Sequence, residues 1–531
     1  VSDSLYGERE ISRRRFLAMG GTLAAAGTLG SLVDPLAALG ATRWPKGRLG
    51  ARDAVKVNGA QFMPTAQFRS WHAALETIGP ANQRGLRATG GAAHERYVDD
   101  LLEDLRRAGV GDVHTEAIPM RRWSTDTWGL ELVGGPTPGA VKTASYIPYS
   151  GQTPAGGVTA PLVWVDAANP PAPGSLAGRI AVFDVPITIL TYGTFELVEY
   201  ADGRVDPKGL IDPKGIYKRP YQNTIVPVLT ALQAAGAAGV VGILDFPANG
   251  ADGSYFPYDG VIRTIPGLYV DRTVGAALRE RAQAGDSQAT LTLPARVEPT
   301  TSRNVIGFIP GRSKELVALH CHTDGSNAIE DNGPGAIVAM AQYLARLPRS
   351  ALPHTIMVVL TTGHFAGGNG SRGFVTRHAD DLVRRTNAAI TIEHLGLKQW
   401  EETTPGTMGP TGRFESGAIF TPGSPALVDA SRTMLKRAGN APGSVLKPLN
   451  PKSEGDPSSA AWPGEGQYLF AAGGIQTANY ITGPTYLLNW GITTTDKVDF
   501  GAVRADAIAF TEMILRLGRT SRAKLRAGGA K

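Results

Sequence analysis

At 531 residues the chain is long enough for roughly two to four domains, and 42% hydrophobic with 19% charged residues is the makeup of a globular protein, which excludes a fibrous or wholly disordered one. The formal net charge of +6 is matched by six cations, Arg516 to Lys531, that follow Glu512 with no acid among them. The body of the chain is therefore close to neutral, no basic stripe carries interleaved aromatics, and no nucleic-acid partner is expected.

The first signal along the chain is Ser12-Arg13-Arg14-Arg15-Phe16-Leu17, followed by an uncharged stretch over 16–33 and small residues at 37–41. Residues 1–40 resemble a twin-arginine signal, which implies passage of the folded protein through the twin-arginine export machinery, cleavage near residue 40 and a secreted or cell-envelope location. Gly20, Gly21, Gly27 and Gly30 keep the stretch weakly hydrophobic, so no stable membrane span is expected after processing. Cys321 is the only cysteine, so no intramolecular disulfide can form.

Tyr97, Leu101, Leu102, Leu105 and Ala108 recur at helical spacing before Gly109, which predicts an amphipathic helix leading into a strand. His94 and His114, in the same stretch, are read as packing or surface residues. Between 144 and 298 the texture changes to short β-like runs at 162–165 and 180–183, a helix at 228–235, the run Gly236-Ala237-Ala238-Gly239-Val240-Val241, and Ile265-Pro266-Gly267-Leu268-Tyr269-Val270 before a helix at 276–284. These runs resemble the protease-associated domain, which implies an inserted, mainly β, non-catalytic module over 144–298.

After residue 298 strands and helices alternate: strands at 304–308, 315–322, 355–361, 388–393 and 475–481, with helices at 335–347, 425–438 and 503–517. Alternation predicts an α/β domain, a three-layer sandwich with a mostly parallel central sheet, formed by 41–143 and 299–518. Its ligand site should lie at the carboxyl ends of the strands. Residues 519–531 read as a basic tail.

The densest chemistry sits at those strand ends. In Leu319-His320-Cys321-His322-Thr323-Asp324-Gly325 a strand aims His320, His322 and Asp324 to one side, and the next loop carries Glu330-Asp331-Asn332-Gly333-Pro334-Gly335. An imidazole and a carboxylate hold a hard cation, and a second carboxylate behind the imidazole orients it. This pattern resembles the two-zinc aminopeptidases and their glutamate-carboxypeptidase relatives. The resemblance implies zinc as cofactor and a peptide or related amide as substrate or ligand. It makes His322 a zinc ligand, Asp324 its orienting acid and Asp331 the bridging carboxylate, with Glu393 of Ile392-Glu393-His394-Leu395-Gly396 in the place of a ligand aspartate.

Two family elements are altered. Where the family has Gly-Glu-Glu-x-Gly-x-x-Gly-Ser, this chain reads Gly363-His364-Phe365-Ala366-Gly367-Gly368-Asn369-Gly370-Ser371, so the general-base glutamate becomes His364 and a second-zinc ligand becomes Phe365. Asn489 stands where the family has its last ligand histidine, and no histidine follows His394. Three readings remain open: a one-ion hydrolase with His322, Asp331 and Glu393 as ligands and His364 as base; an inactive peptidase homologue that binds peptide-like ligands at the cell surface with no ion; and a two-ion enzyme recruiting His364, His394 or Glu465. The loops 404–415 and 453–467 match no motif, and their acids, Glu465 included, read as solvated.

Overall fold

The computed structural model describes residues 43–135, 137–221, 224–330, 332–449, 462–491 and 494–527. Residues 1–40, expected to be an export signal, and Asp331, Glu454 and Asp456 lie outside them. None of the described helices is long and apolar enough to cross a membrane.

Strand Ser313–His322 is the centre of a nine-stranded sheet. It runs parallel to His354–Thr361 on one side and Thr386–Ile392 on the other, and Gln476–Thr482 extends this parallel core. The flanking strands run antiparallel to the core, Arg296–Ile309 beside His354–Thr361 and Gly417–Phe420 beside Gln476–Thr482. Parallel strands are covered on both faces, and alternation along each strand separates the two cores. Leu316, Ala318, Met357 and Val359 pack with Phe374, Leu469 and Ile475 on one face. Val317, Leu319, Ile356 and Val358 pack with Ile337, Met340 and Ile514 on the other. Helices Gly333–Leu344 and Phe500–Leu517 lie on the second face, and Asn369–Arg377 and Gly466–Ala471 on the first. The expected three-layer α/β sandwich is what forms.

The stretch expected to be an inserted module, 144–298, forms a separate eight-stranded sheet with helices Ile225–Ala234 and Arg272–Ala284. Gly129–Val133 and Gly139–Val141, expected in the other domain, are strands of this sheet too, so it begins before residue 144. Its core strands Val158–Trp164, Ile180–Asp184, Gly239–Ile243 and Gly267–Val270 are parallel to one another. A long antiparallel ribbon, Gly111–Ser124 against Arg296–Ile309, runs between the two sheets. One segment leaves the second sheet: Glu199–Val205 pairs with Gly443–Leu446 and becomes the last strand of the first sheet.

Glu76, at the end of helix Thr65–Thr77, fastens the turn that precedes helix Phe500–Leu517. Its carboxylate accepts from the backbone N–H groups of Thr494 (2.6 Å) and Thr495 (2.8 Å) and from both hydroxyls (2.8 and 2.7 Å). Burial alone raises its pKa, but the hydrogen bonds from His72 and these threonines outweigh burial and hold it well below the glutamate value of 4.5. Replacing Glu76 by Ala is expected to lower stability by about 2 kcal/mol near neutral pH. A depressed folded pKa contributes in full above the unfolded value, so the deficit should shrink as the pH falls below 4.5. Urea unfolding of both proteins at neutral and acidic pH measures it.

Candidate functional site

The parallel core delivers side chains to one cleft. His322 is the last residue of its strand, Glu393 and His394 follow strand Thr386–Ile392, and His364 sits on the turn after His354–Thr361. Glu330 comes from the loop after His322, and Glu465 from the turn before helix Gly466–Ala471. The His364 turn is glycine-built: Gly368 has φ +73°, and a Cβ there would stand 2.2 Å from the Tyr468 ring.

Each of the three histidines spends its Nδ1 on a fixed oxygen. Nδ1 of His322 is 2.8 Å from the backbone carbonyl of Asp324, that of His394 is 2.9 Å from the carbonyl of Thr482, and that of His364 is 2.7 Å from Oε2 of Glu465. Carbonyl oxygens only accept, so His322 and His394 carry the proton on Nδ1 and turn Nε2 away from it. His394 is held with φ +58°, a costly conformation for a non-glycine residue that the Thr482 contacts secure. The His322 and His364 rings stack 4.2 Å apart.

The carboxylates complete the cluster. Oε1 of Glu393 accepts from the backbone N–H of Glu465 at 2.8 Å, while its Oε2 lies 4.0 Å from Nε2 of His322. Oε2 of Glu330 lies 3.3 Å from Nε2 of His394. Nε2 of His322, Nε2 of His394, Oε2 of Glu330 and Oε2 of Glu393 are all buried without a hydrogen-bond partner. Ligand atoms of His322, Glu393 and His394, and likewise of His322, Glu330 and His364, lie within 4.8 Å of one another. Donors around a tetrahedral ion with bonds of about 2.0–2.2 Å sit roughly 3–3.5 Å apart. Buried polar atoms without partners are costly, and a divalent cation between His322, Glu393 and His394 would satisfy three of the four, so these residues fit a metal.

The electrostatics agree for His322 but not for His394, whose pKa burial lowers and the charges of Glu330 and Glu393 raise, on balance upward, in the metal-free protein. Burial, with the charges of His364 and His394 beside it, holds His322 well below the usual histidine range, which leaves the neutral imidazole a ligand requires. Burial also depresses His364, but the hydrogen bond and charge of Glu465, with Glu393 and Glu330, raise it to about 9. Burial raises Glu393, partly offset by His394 and His364.

Of the residues expected at the site, His322, Glu393 and His364 come together, and Asp331 lies outside the described residues. Asp324 is at the site but in a different posture. Its carboxylate is 3.8 Å from Nδ1 of His322, and it accepts instead from the backbone N–H groups of His364 (3.2 Å) and Phe365 (3.0 Å) and from Thr89. It orients the His364 turn, while its own carbonyl orients the His322 ring. His320 is structural, bonded to Thr391 and Thr361.

Glu465 corrects an expectation: it is fully buried against His364, not a solvated loop acid. The signal was Gly464-Glu465-Gly466, where a Cβ on Gly464 would stand 3.0 Å from Glu393 and one on Gly466 2.5 Å from Thr391. Glu330, four residues before Pro334 in an acid-rich loop, was passed over for its neighbour Asp331. Phe365 is buried among Tyr255 (5.6 Å between ring centres) and Tyr258 (5.3 Å). Asn489 donates to the carbonyl of Gly250.

A family model described as Peptidase family M28 matches residues 304–438. The curated protein named "Probable leucine aminopeptidase 2", from Aspergillus fumigatus, is 26% identical over 308 residues, which are 57% of this chain and 52% of that protein. The match thus spans about half the length of that relative. Among solved structures, the Peptidase M28 precursor from Shewanella amazonensis SB2B has a TM-score of 0.58 at 18% identity, covering 89% of this chain and 95% of that one. A zinc aminopeptidase from Bacillus subtilis gives 0.55 at 17%, covering 84% and 94%. The aminopeptidase from Aneurinibacillus sp. strain AM-1 gives 0.53 at 15%, covering 86% and 94%. These likenesses show a shared zinc-exopeptidase-like fold.

The His364–Glu465 contact carries its own expected outcome. In metal-free protein the His364 ring should titrate near 9, and in Glu465→Gln, with the charge gone and burial remaining, more than one unit lower. Proton NMR of the imidazole resonances reads it.

Proposed function

From the M28 peptidase region at residues 304–438, we propose that the chain is a one-ion, metal-dependent hydrolase of peptides or related amides. The observation that carries the reading is the convergence of buried ligand atoms of His322, Glu393 and His394 within 4.8 Å of one another, with Glu330 in an adjoining group that also uses His322. Zinc is the cofactor this donor set suits, two imidazole nitrogens and a carboxylate oxygen that leave one position open. When bound, its chemistry is to acidify water and polarise a carbonyl.

What supports one ion over two is the sharing of His322. Both donor groups use this histidine, yet its Nδ1 is committed to Asp324 and only Nε2 is left to bind. Phe365 supplies no donor, and Asn489 turns its amide to Gly250.

His364 and Glu465 form the proton-transfer pair. With a cation in the cluster offsetting the charges of Glu393 and Glu330 that help raise His364, its ring is left neutral. Nε2 of that neutral ring takes a proton from the attacking water and returns it to the departing amine, while Glu465, on Nδ1, stabilises the imidazolium between the two steps. Asp324 fixes the backbone of residues 364 and 365, so the ring keeps its stacking on His322. The segment 1–40 supports an exported protein that crosses the membrane folded, and the second sheet supports a protease-associated module beside the cleft.

Hydrolysis of aminoacyl anilides should be lost on chelation and restored by zinc. His364→Ala should lower kcat by about 10² to 10⁴ while bound metal is retained. Turnover that survives both treatments would rule the assignment out, and absence of turnover in zinc-loaded protein would favour a binding protein.

A further inference from the structure

The donor cluster opens into a chamber of about 140 Å³ whose other walls include Phe195, Tyr217, Tyr221, Phe420, Leu446 and Ile481. Three of these rings come from residues 189–221, the strap that flanks Glu199–Val205 on both sides, where Tyr217 packs edge-on against Tyr192 (5.5 Å) and Phe195 (5.1 Å). The chamber is therefore shared between the cleft and the inserted region.

Glu415 also lines it and is 1% exposed. Its Oε1 accepts from Arg219 at 3.0 Å and lies 3.4 Å from the Tyr192 hydroxyl, but its Oε2 is buried with no hydrogen-bond partner. The fully buried Arg219 also faces Glu401 at 3.1 Å, so one guanidinium serves two carboxylates. Of the other cations nearby, Arg204 pairs with Glu196 (2.9 Å) and Glu199 (3.1 Å), and Arg413 acts on Glu415 only through its charge, without a direct contact to Oε2. Arg413 is exposed, bonded to Gln399 and, among the described residues, in no ion pair.

A narrow aromatic chamber that holds an under-neutralised carboxylate matches one kind of group, an alkyl stem ending in a cation. The stem lies against the rings, whose faces also attract a cation, and the head supplies the donor Glu415 lacks. A purely aliphatic side chain would seal Oε2 of Glu415 into the complex unpaired, the type of mismatch that discriminates strongly. Resting on the reading of this cleft as a substrate site, we propose that the chamber recognises the basic side chain of a lysine or arginine residue at the scissile bond. Glu415 is its specificity determinant, and the strap 189–221 is the wall that shapes it.

Calorimetric titration of the zinc-loaded full chain with L-lysinamide and L-norleucinamide isolates the ε-ammonium, the one group by which the two differ. Lysinamide should bind at least about tenfold tighter, as for a buried charged contact, and Glu415→Gln should erase that difference while norleucinamide affinity stays put. Equal affinities in the wild type overturn the proposal, and this comparison decides even if the variant fails to fold. Lysyl and norleucyl anilides then separate the two claims. Discrimination in binding with no turnover defeats the hydrolase and leaves the pocket standing, whereas turnover without lysyl preference defeats the pocket alone.

Discussion

The site depends on where three imidazole protons go. His322, His394 and His364 each have Nδ1 against a fixed oxygen, the carbonyls of Asp324 and Thr482 and the carboxylate of Glu465. With those nitrogens committed, the remaining nitrogen of each ring is the one left for chemistry, and Glu330 and Glu393 add the negative charge that makes the cluster a cation site. Outer contacts of this kind orient ligands before any metal arrives. Here they also divide labour: two rings rest on carbonyls, which suits a ligand, and one rests on a carboxylate, which suits proton transfer.

The same packing accounts for what the cleft lacks. Phe365 occupies its position as a core residue among Tyr255 and Tyr258, and both tyrosines belong to the region that holds the second sheet. An aromatic contact with the inserted region stands at the position to which the resemblance to the two-zinc aminopeptidases gives a second ligand carboxylate. The inserted region is thus bound into the cleft from two directions, through Phe365 at the donors and through Arg219, Tyr192 and Glu415 at the chamber.

Much of this was legible in the sequence. Alternating strands and helices after residue 298 set the sandwich, strand-end placement pointed to His322 and Asp324, and Glu393 was reached through the resemblance to the two-zinc aminopeptidases. What stayed hidden arose from tertiary contacts without a local signature. Glu465 reads as one acid in a Gly/Ser/Pro-rich loop until its flanking glycines are seen pressed on Glu393 and Thr391. His394 was open in the sequence as an alternative ligand, but not the left-handed backbone turn that brings it to the site beside Glu393, which side-chain alternation does not foresee. Asp324 was matched to His322 by spacing, but the ring is bound by its carbonyl while its carboxylate serves the 364–365 turn. Strand Glu199–Val205, crossing from one sheet to the other, carried no sequence signal.

Anomalous diffraction at the zinc edge from crystals of the protein grown with zinc tests the central claim most directly. The account predicts a single peak per chain, about 2.0–2.2 Å from Nε2 of His322 and from ligand atoms of Glu393 and His394. An empty cluster, or a pair of peaks about 3.5–4 Å apart, would contradict it.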